Sequence, residues 1–447
     1  MRPVTCGRPR AAGHAQRYGL RVPAPSLLVR NASSVLTLAS PGTPKRGAAL
    51  GDLGEVRGAS VAVRDGIVLA VGSEGEMSRL LDGDDVTVID ADGGLVMPGF
   101  VDPHTHLVFA GTRAEEFEAR LVHGRDYLDF VTAGAGGLST VARTRQTPTD
   151  ELESLIGVRL RRLLEHGTTT AEVKTGYGLS VEEELRHVHA LRAAAEASPI
   201  DVALTLLAAH FRPPEHRDDP EPWIEEIVDR LLPAVTGPRL VSGFDVFCEP
   251  GIYSIDQCRR LLMAAHGRGL ARHVHADQLS ASGGAELAVE VGARSADHLG
   301  HVSDAGITAL AGSATVAVLI PGSVFFVPGE QVPPARRMID AGVAIAVSSD
   351  YNPGSSPIVS QAMALSLATV LFHLSVAEAI SAATINAAWA AGVHDRVGSL
   401  EAGKQADLLV LEASDHREIA YRFGENLVRQ VIKKGRVVAG RPIVGPL

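Results

Sequence analysis

No apolar run in this chain approaches the ~20 residues that a membrane-spanning helix needs, so such a helix is not expected. Cysteine is scarce. Cys6, Cys248 and Cys258 are the three present, with no Cys-x-x-Cys pair. An odd, sparse set argues against a disulfide scaffold and suits a reducing, cytoplasmic setting. Excess positive charge is also missing. The net charge of −10 argues against nucleic-acid binding as the main task. There is no repeat of fixed period and no low-complexity tract, so no solenoid is expected. Residues 1–25 lack the continuous apolar stretch of a secretory signal. They are rich in Arg, Pro and Ala without periodicity, and read as a disordered tail or the product of an upstream start site.

What remains can build a large core: 45% of 447 residues are hydrophobic. Length suggests two or three domains, although barrels exceed ~250 residues as one unit. Residues 26–95 read as a first β segment, with Ser26–Arg30, Ser60–Arg64, Ile67–Gly72 and Val86–Asp90 as strands and Asp65-Gly66 as a hairpin turn. Residues 96–392 alternate strand and helix. Candidate strands are 99–107, 168–175, 201–210, 240–249, 271–278, 295–300, 315–321 and 344–350. Helical patterns lie between them at 150–166, 181–196, 221–232, 254–267 and 333–341. Eight such units predict an α/β fold, a (β/α)8 TIM-like barrel; a doubly wound sheet is the alternative. Residues 393–447 return to strand and turn, with a Lys434-Gly435 turn. The simplest arrangement joins both terminal segments in one small β-sandwich domain beside the barrel.

A barrel places its chemistry at the C-terminal ends of its strands, so each candidate strand can be asked what it ends with. The first ends at His104 and His106. Residues two apart on a strand point the same way, so the two imidazoles can share one cation. A lone His-x-His is weak evidence. However, other strands end in Glu172–Gly178, His210, His273–Gln278, Asp297–His301 and Ser348–Ser355. A metal site needs three or four donors with room for water. His104 and His106 supply two, His275 or His273 a third, and Asp350 a carboxylate. Spacing alone does not choose between His273 and His275. Three imidazoles and a carboxylate hold a first-row metal, and such an ion acidifies coordinated water. The pattern points to metal-assisted hydrolysis.

Pro98-Gly99-Phe100-Val101-Asp102-Pro103-His104-Thr105-His106 and Leu400-Glu401-Ala402-Gly403-Lys404-Gln405-Ala406-Asp407-Leu408 resemble motifs of the amidohydrolase superfamily. Phe109–Arg113, Lys174–Gly178, His275–Gln278 and Asp350–Ser355 narrow the resemblance to the imidazolonepropionase family. It runs from about residue 26 to the C-terminus. The resemblance implies a ring-opening hydrolase acting on 4-imidazolone-5-propanoate. It implies one Zn2+ or Fe3+ ion per subunit on His104, His106, His275 and Asp350, and thus favours His275 over His273. It implies substrate or product contacts at Arg113, Tyr177, His210, Gln278, Asn352, Gly354 and Ser355. It places His298 beside the reacting water, with Asp350 and His298 as catalytic groups and a homodimer as the family's habit. An Arg113 guanidinium fork suits a propanoate carboxylate, although Glu115 and Glu116 offer it nearer partners. Asn352-Pro353-Gly354 also has the composition of a plain turn.

Two residues discriminate. Deaminase relatives carry Glu where this chain has Gln278. An amide cannot carry a proton to a leaving amine, which disfavours a deaminase. Binuclear relatives bridge their metals with a carboxylated lysine on the fourth strand. Here that strand ends Phe247-Cys248-Glu249, so one metal is expected. A mononuclear amidohydrolase acting on another nitrogen heterocycle, and a catalytically dead barrel used for binding, are the competing readings. His266, His187 and His189 are expected to be ordinary, the last two on the surface.

Overall fold

Seven short strands open the chain: β1 (Ser26–Arg30), β2 (Ser34–Leu36), β3 (Glu55–Arg57), β4 (Ser60–Arg64), β5 (Ile67–Gly72), β6 (Val86–Asp90) and β7 (Leu95–Pro98). Eight more form the barrel: β8 (Phe100–Thr105), β9 (Thr168–Lys174), β10 (Asp201–Ala209), β11 (Gly243–Cys248), β12 (Ala271–Ala276), β13 (Ser295–His298), β14 (Val316–Leu319) and β15 (Ile345–Val347). β16 (Leu408–Leu411), β17 (Val428–Lys433) and β18 (Arg436–Gly440) close it. The structure, a computed structural model, describes residues 26–40, 42–83, 85–123 and 136–440. The expected N-terminal tail, with Cys6, lies outside them.

The barrel strands pair in parallel and in sequence order from β8 to β15. Their residues are largely buried on both faces, as helices on the outside of a parallel sheet require. Polar side chains span the seam between β8 and β15. Asp102 accepts the Ser349 N–H at 3.1 Å and the Ser349 hydroxyl. Ser348 Oγ donates to the His104 carbonyl at 2.8 Å, and the His106 N–H donates to the Tyr351 carbonyl at 3.0 Å. The seam thus fixes the histidine strand against the strand that carries Asp350.

The helix expected over 221–232 is divided. An α-helix at Glu221–Glu226 passes through a π-helical turn at Ile227–Leu231 into a second α-helix at Leu232–Thr236. Pro233 cannot donate a backbone hydrogen bond, and the turn widens beside it.

Strands from residues 26–98 and 408–440 meet in a β-sandwich. One sheet has the order β5-β4-β1-β6 and the other β18-β17-β16-β7-β2-β3. Leu27, Val29, Val61, Val96, Leu408, Val410 and Ile432 share its core. Its hairpin turns follow the sequence: Asp65 and Gly66, then Lys434 and Gly435, all have positive φ, the conformation of a two-residue primed turn. Among the described residues no helix is long and apolar enough to cross a membrane. Cys248 and Cys258 are buried free thiols.

Candidate active site

Pro103 lies inside β8 and cannot join the ladder, and the β8–β9 register shifts between Asp102 and Thr105. The strand then delivers His104 and His106 to one side, with their Nε2 atoms 3.1 Å apart. His275 arrives from β12. Ring nitrogens of the three histidines lie within 4.8 Å of one another. Asp350 follows β15 with φ +51. Its Oδ1 stands 3.3 Å from His106 Nε2 and 3.6 Å from His104 Nε2.

Two of these donor atoms lack partners. His275 Nε2 and Asp350 Oδ1 are buried without a hydrogen bond, a costly condition that calls for an occupant. Burial, with Lys174 second, lowers His106 to about 3, and burial holds His104 and His275 low too. All three are neutral at pH 7, with lone pairs for a cation. Burial pushes Asp350 up to about 7. Four convergent donors, two of them unsatisfied, fit one metal ion.

Behind them runs a layer that holds the rings. His104 Nδ1 is 2.6 Å from Asp297 Oδ2, and His275 Nδ1 is 3.2 Å from Asp245 Oδ1. A cation on each Nε2 requires the proton of each contact to sit on Nδ1, the arrangement that orients imidazole ligands. Lys174 ties the layer together. Its Nζ lies 2.8 Å from Asp245, 3.0 Å from Glu172 and 3.7 Å from Asp297. Burial alone would strip its proton, but Asp245, Glu172 and Asp297 keep it charged. In turn, and against burial, Lys174 holds Asp245 well below the usual carboxylate range. Asp245, His275 and Asp297 themselves form a group able to hold a metal, and the Lys174 ammonium sits beside it as a built-in cation.

The remaining expected residues divide. Tyr177 and His210 are buried against the histidines: the His210 ring stacks on His106 at 5.1 Å between centroids, and Tyr177 lies 5.3 Å from His210. Gly176 makes this approach workable, since a Cβ there would meet the His210 ring at 3.0 Å. His298, with φ +76, places its ring 5.5 Å from His104 and 5.3 Å from His275. Such a conformation in a non-glycine residue at a strand end is a strain typical of sites. Gln278 is buried beside them, on a loop fixed by Asp277, which accepts the N–H groups of Gly283, Gly284 and Ala285 at 2.8–3.1 Å.

Arg113 is also buried, and Glu116 holds its fork through Nε at 2.8 Å and Nη2 at 2.6 Å. Its Nη1 packs so closely on Gly354 that a Cβ there would lie 2.0 Å away. Asn352 spends its amide inside the loop. Nδ2 donates to the Asp350 carbonyl and to Ser355 Oγ, and Oδ1 accepts from Gly354 and Ser355. Ser355 Oγ donates to Asp350 Oδ2 at 3.3 Å. This loop therefore holds Asp350, while its side chains are largely engaged with one another.

His273 is not among the three histidines whose ring nitrogens converge, and its Nδ1 lies 2.9 Å from Ser295 Oγ. His187 corrects an expectation: it is fully buried rather than on the surface, because its helix, Val181–Glu196, turns that face toward the barrel. His189 and His266 are exposed.

Lys174, Asp245, Asp297 and Glu330 were given no site role from sequence, and Glu116 was named only as a partner open to Arg113. A signal existed for two of them. Asp245 and Asp297 interrupt strands that are otherwise apolar or small, and a charge buried there needs a partner.

The amidohydrolase family matches residues 95–438. E. coli guanine deaminase has the same fold, with a TM-score of 0.72 at 17% identity, covering 93% of this chain and 100% of that one. A Klebsiella pneumoniae 5-methylcytosine deaminase liganded with 5-fluorocytosine gives 0.70 at 16% identity, covering 94% and 99%. The chain belongs to the amidohydrolase family, a class of metal-dependent hydrolases. The imidazolonepropionase of Symbiobacterium thermophilum is 45% identical, covering 92% of this chain and 97% of that protein. That of Geobacillus kaustophilus is 43% identical with the same coverage. Within the amidohydrolases, this chain is a member of the imidazolonepropionases.

Proposed function

We propose that the chain opens the ring of 4-imidazolone-5-propanoate by hydrolysing its ring amide, giving N-formimino-L-glutamate in histidine degradation. The observation that carries the reading is the convergence of His104, His106, His275 and Asp350, with His275 Nε2 and Asp350 Oδ1 buried and unsatisfied. The names of the relatives at 45% and 43% identity support the substrate. One Zn or Fe ion suits these ligands, and the Lys174 ammonium beside Asp245 and Asp297 stands where a second cation would compete. A metal there supplies Lewis acidity, polarising a carbonyl and lowering the pKa of water.

The chain's own groups supply the rest. Asp350 takes the proton that the attacking water gives up. An O–H bond of water and the ring C–N bond break; a C–O bond and an N–H bond form, so the proton ends on the departing ring nitrogen. His298 holds either the water or the developing oxyanion, according to which ring nitrogen carries its proton. Arg113 receives the propanoate, with its fork held in place by Glu116. Tyr177 and His210 wall the ring.

The test is turnover of freshly generated 4-imidazolone-5-propanoate by protein of known metal content. Ring opening without ammonia release is expected, and ammonia release from heterocyclic amines without ring opening would overturn the reading. Arg113→Ala should lower kcat/KM about 10- to 100-fold, mainly through KM, the scale of a lost charge-assisted pair. An unchanged KM would remove Arg113 from the substrate site.

A further inference from the structure

Position 278 is an amide, yet a carboxylate reaches it from elsewhere. Glu330 follows a short helix, Pro321–Phe326, in the segment after β14. Its side chain is 4% exposed. The Gln278 side chain stands near enough to help hold its carboxyl down. Its Oε2 accepts the Ser323 hydroxyl at 2.5 Å. Its Oε1 faces His298 Nδ1 at 3.9 Å, and that nitrogen is buried with no hydrogen-bond partner.

We propose that Glu330 is a positioning residue that supplies, from the segment after the seventh barrel strand, the carboxyl group missing at position 278, and that it sets the hydrogen-bond direction of both Gln278 and His298. The inference rests on the ring-opening reading for its kinetic consequence, but not for its geometry.

A carboxylate can only accept hydrogen bonds. Facing it, Gln278 must present its NH2, which leaves the amide carbonyl as an acceptor for a substrate N–H. The same negative charge, 3.9 Å from His298 Nδ1, favours a proton on that nitrogen, and Nε2 then offers a lone pair. Of the two roles open to His298, this selects holding the attacking water through one of its hydrogens. The charged groups around Glu330 are Asp350 and Arg120, with His298. Burial, opposed by Ser323 and assisted by Asp350, brings Glu330 up to about 7. The hydrogen-bond directions above therefore belong to its ionised form, which dominates above pH 7.

The test uses the metal-loaded full chain. The pair needs one carboxyl and one amide, so E330Q (two amides) and Q278E (two carboxyls) should each lower kcat about 10- to 100-fold, the scale of outer-shell partners, with KM within about twofold of the parent. The exchange variant E330Q/Q278E should recover to within about threefold of the parent kcat, a coupling that independent sites do not show. Singles that match the parent, or a double no better than the two losses combined, would overturn the proposal. Nitrogen-15 histidine NMR reads the geometry without turnover, with His298→Asn assigning the signals. His298 should show a protonated Nδ1 and a bare Nε2 in the parent, and lose that preference in Glu330→Leu. An unchanged His298 signal overturns the positioning role whatever the substrate. A Glu330-dependent signal in a protein that fails to open the imidazolone ring would sink the substrate and leave the positioning role standing.

Discussion

Two of the three buried lysines, Lys174 and Lys433, form ion pairs with carboxylates, and their surroundings differ in one respect. Lys174, inside the barrel, faces Asp245, Glu172 and Asp297 alone. Lys433, on β17, sits 2.6 Å from Asp407 and 2.8 Å from Asp201 at the start of β10. There Lys434 adds a second ammonium, 2.7 Å from Asp201, and Gln405 donates to both carboxylates. The sandwich-to-barrel cluster is balanced, with two ammonium groups for two carboxylates. The barrel cluster has three carboxylates for one ammonium, and its carboxyls must hold protons or share them with histidines. Burial raises Glu172 to about 7 despite Lys174, whereas Lys433 and its neighbours bring Asp201 down to about 2 against burial. A balanced pair ties two layers together. An unbalanced one leaves carboxyls that hold protons or share them with the imidazoles in front of them.

The sharpest way to break the comparison is Lys174→Met. Removing the single ammonium from three buried carboxylates should cost about 3–5 kcal/mol and weaken metal binding about 10- to 100-fold. Urea denaturation and a chelator competition would measure the two. A variant with parental metal affinity would show that Lys174 serves folding alone. Lys433→Met should cost less, about 1–3 kcal/mol, because Lys434 and Gln405 still satisfy the carboxylates. It should leave kcat untouched, and a fall in kcat would erase the distinction drawn between the clusters.

The smallest and most diagnostic difference is in pH. Asp201 has a folded pKa below its unfolded value, so its contribution is present above about 4 and is lost as pH falls toward 2, roughly 2 kcal/mol in all. Glu172 has a folded pKa above its unfolded value. The folded state then holds the extra proton, and stability declines as pH rises from about 4.5 to 7, by an amount of the same order. Denaturation of metal-free protein across pH should therefore show a shallower acid limb in Lys433→Met and a shallower neutral decline in Glu172→Gln. Matching profiles in all three proteins would mean that neither carboxyl is tuned as described.

Much of this was legible before the fold. Alternation of strand and helix marked eight barrel strands, and every observed barrel strand lies inside the stretch read for it. Asp65-Gly66 announced its turn because Asp and Gly tolerate positive φ, whereas at Lys434-Gly435 the glycine alone carries that signal. His-x-His on a strand brings two imidazoles to one face by covalent geometry alone. By contrast, His187 was misjudged, because which face of a helix is buried depends on what packs against it. The side chain of Asn352 is consumed by its own loop, which a motif resemblance does not reveal.

The sequence by itself determined the local geometry of this protein: the turns, the strand periods, and the spacing that pairs His104 with His106. These depend on bonds and sterics within a few residues. Only the tertiary structure decided that His275 rather than His273 completes the group in space, that one lysine on β9 holds carboxylates from β11 and β13, and that Glu330 stands beside an amide at position 278. Charges buried far apart along the chain meet only when strands close into a barrel. Their pKa values and hydrogen-bond directions then follow from that low-dielectric company rather than from neighbours in sequence.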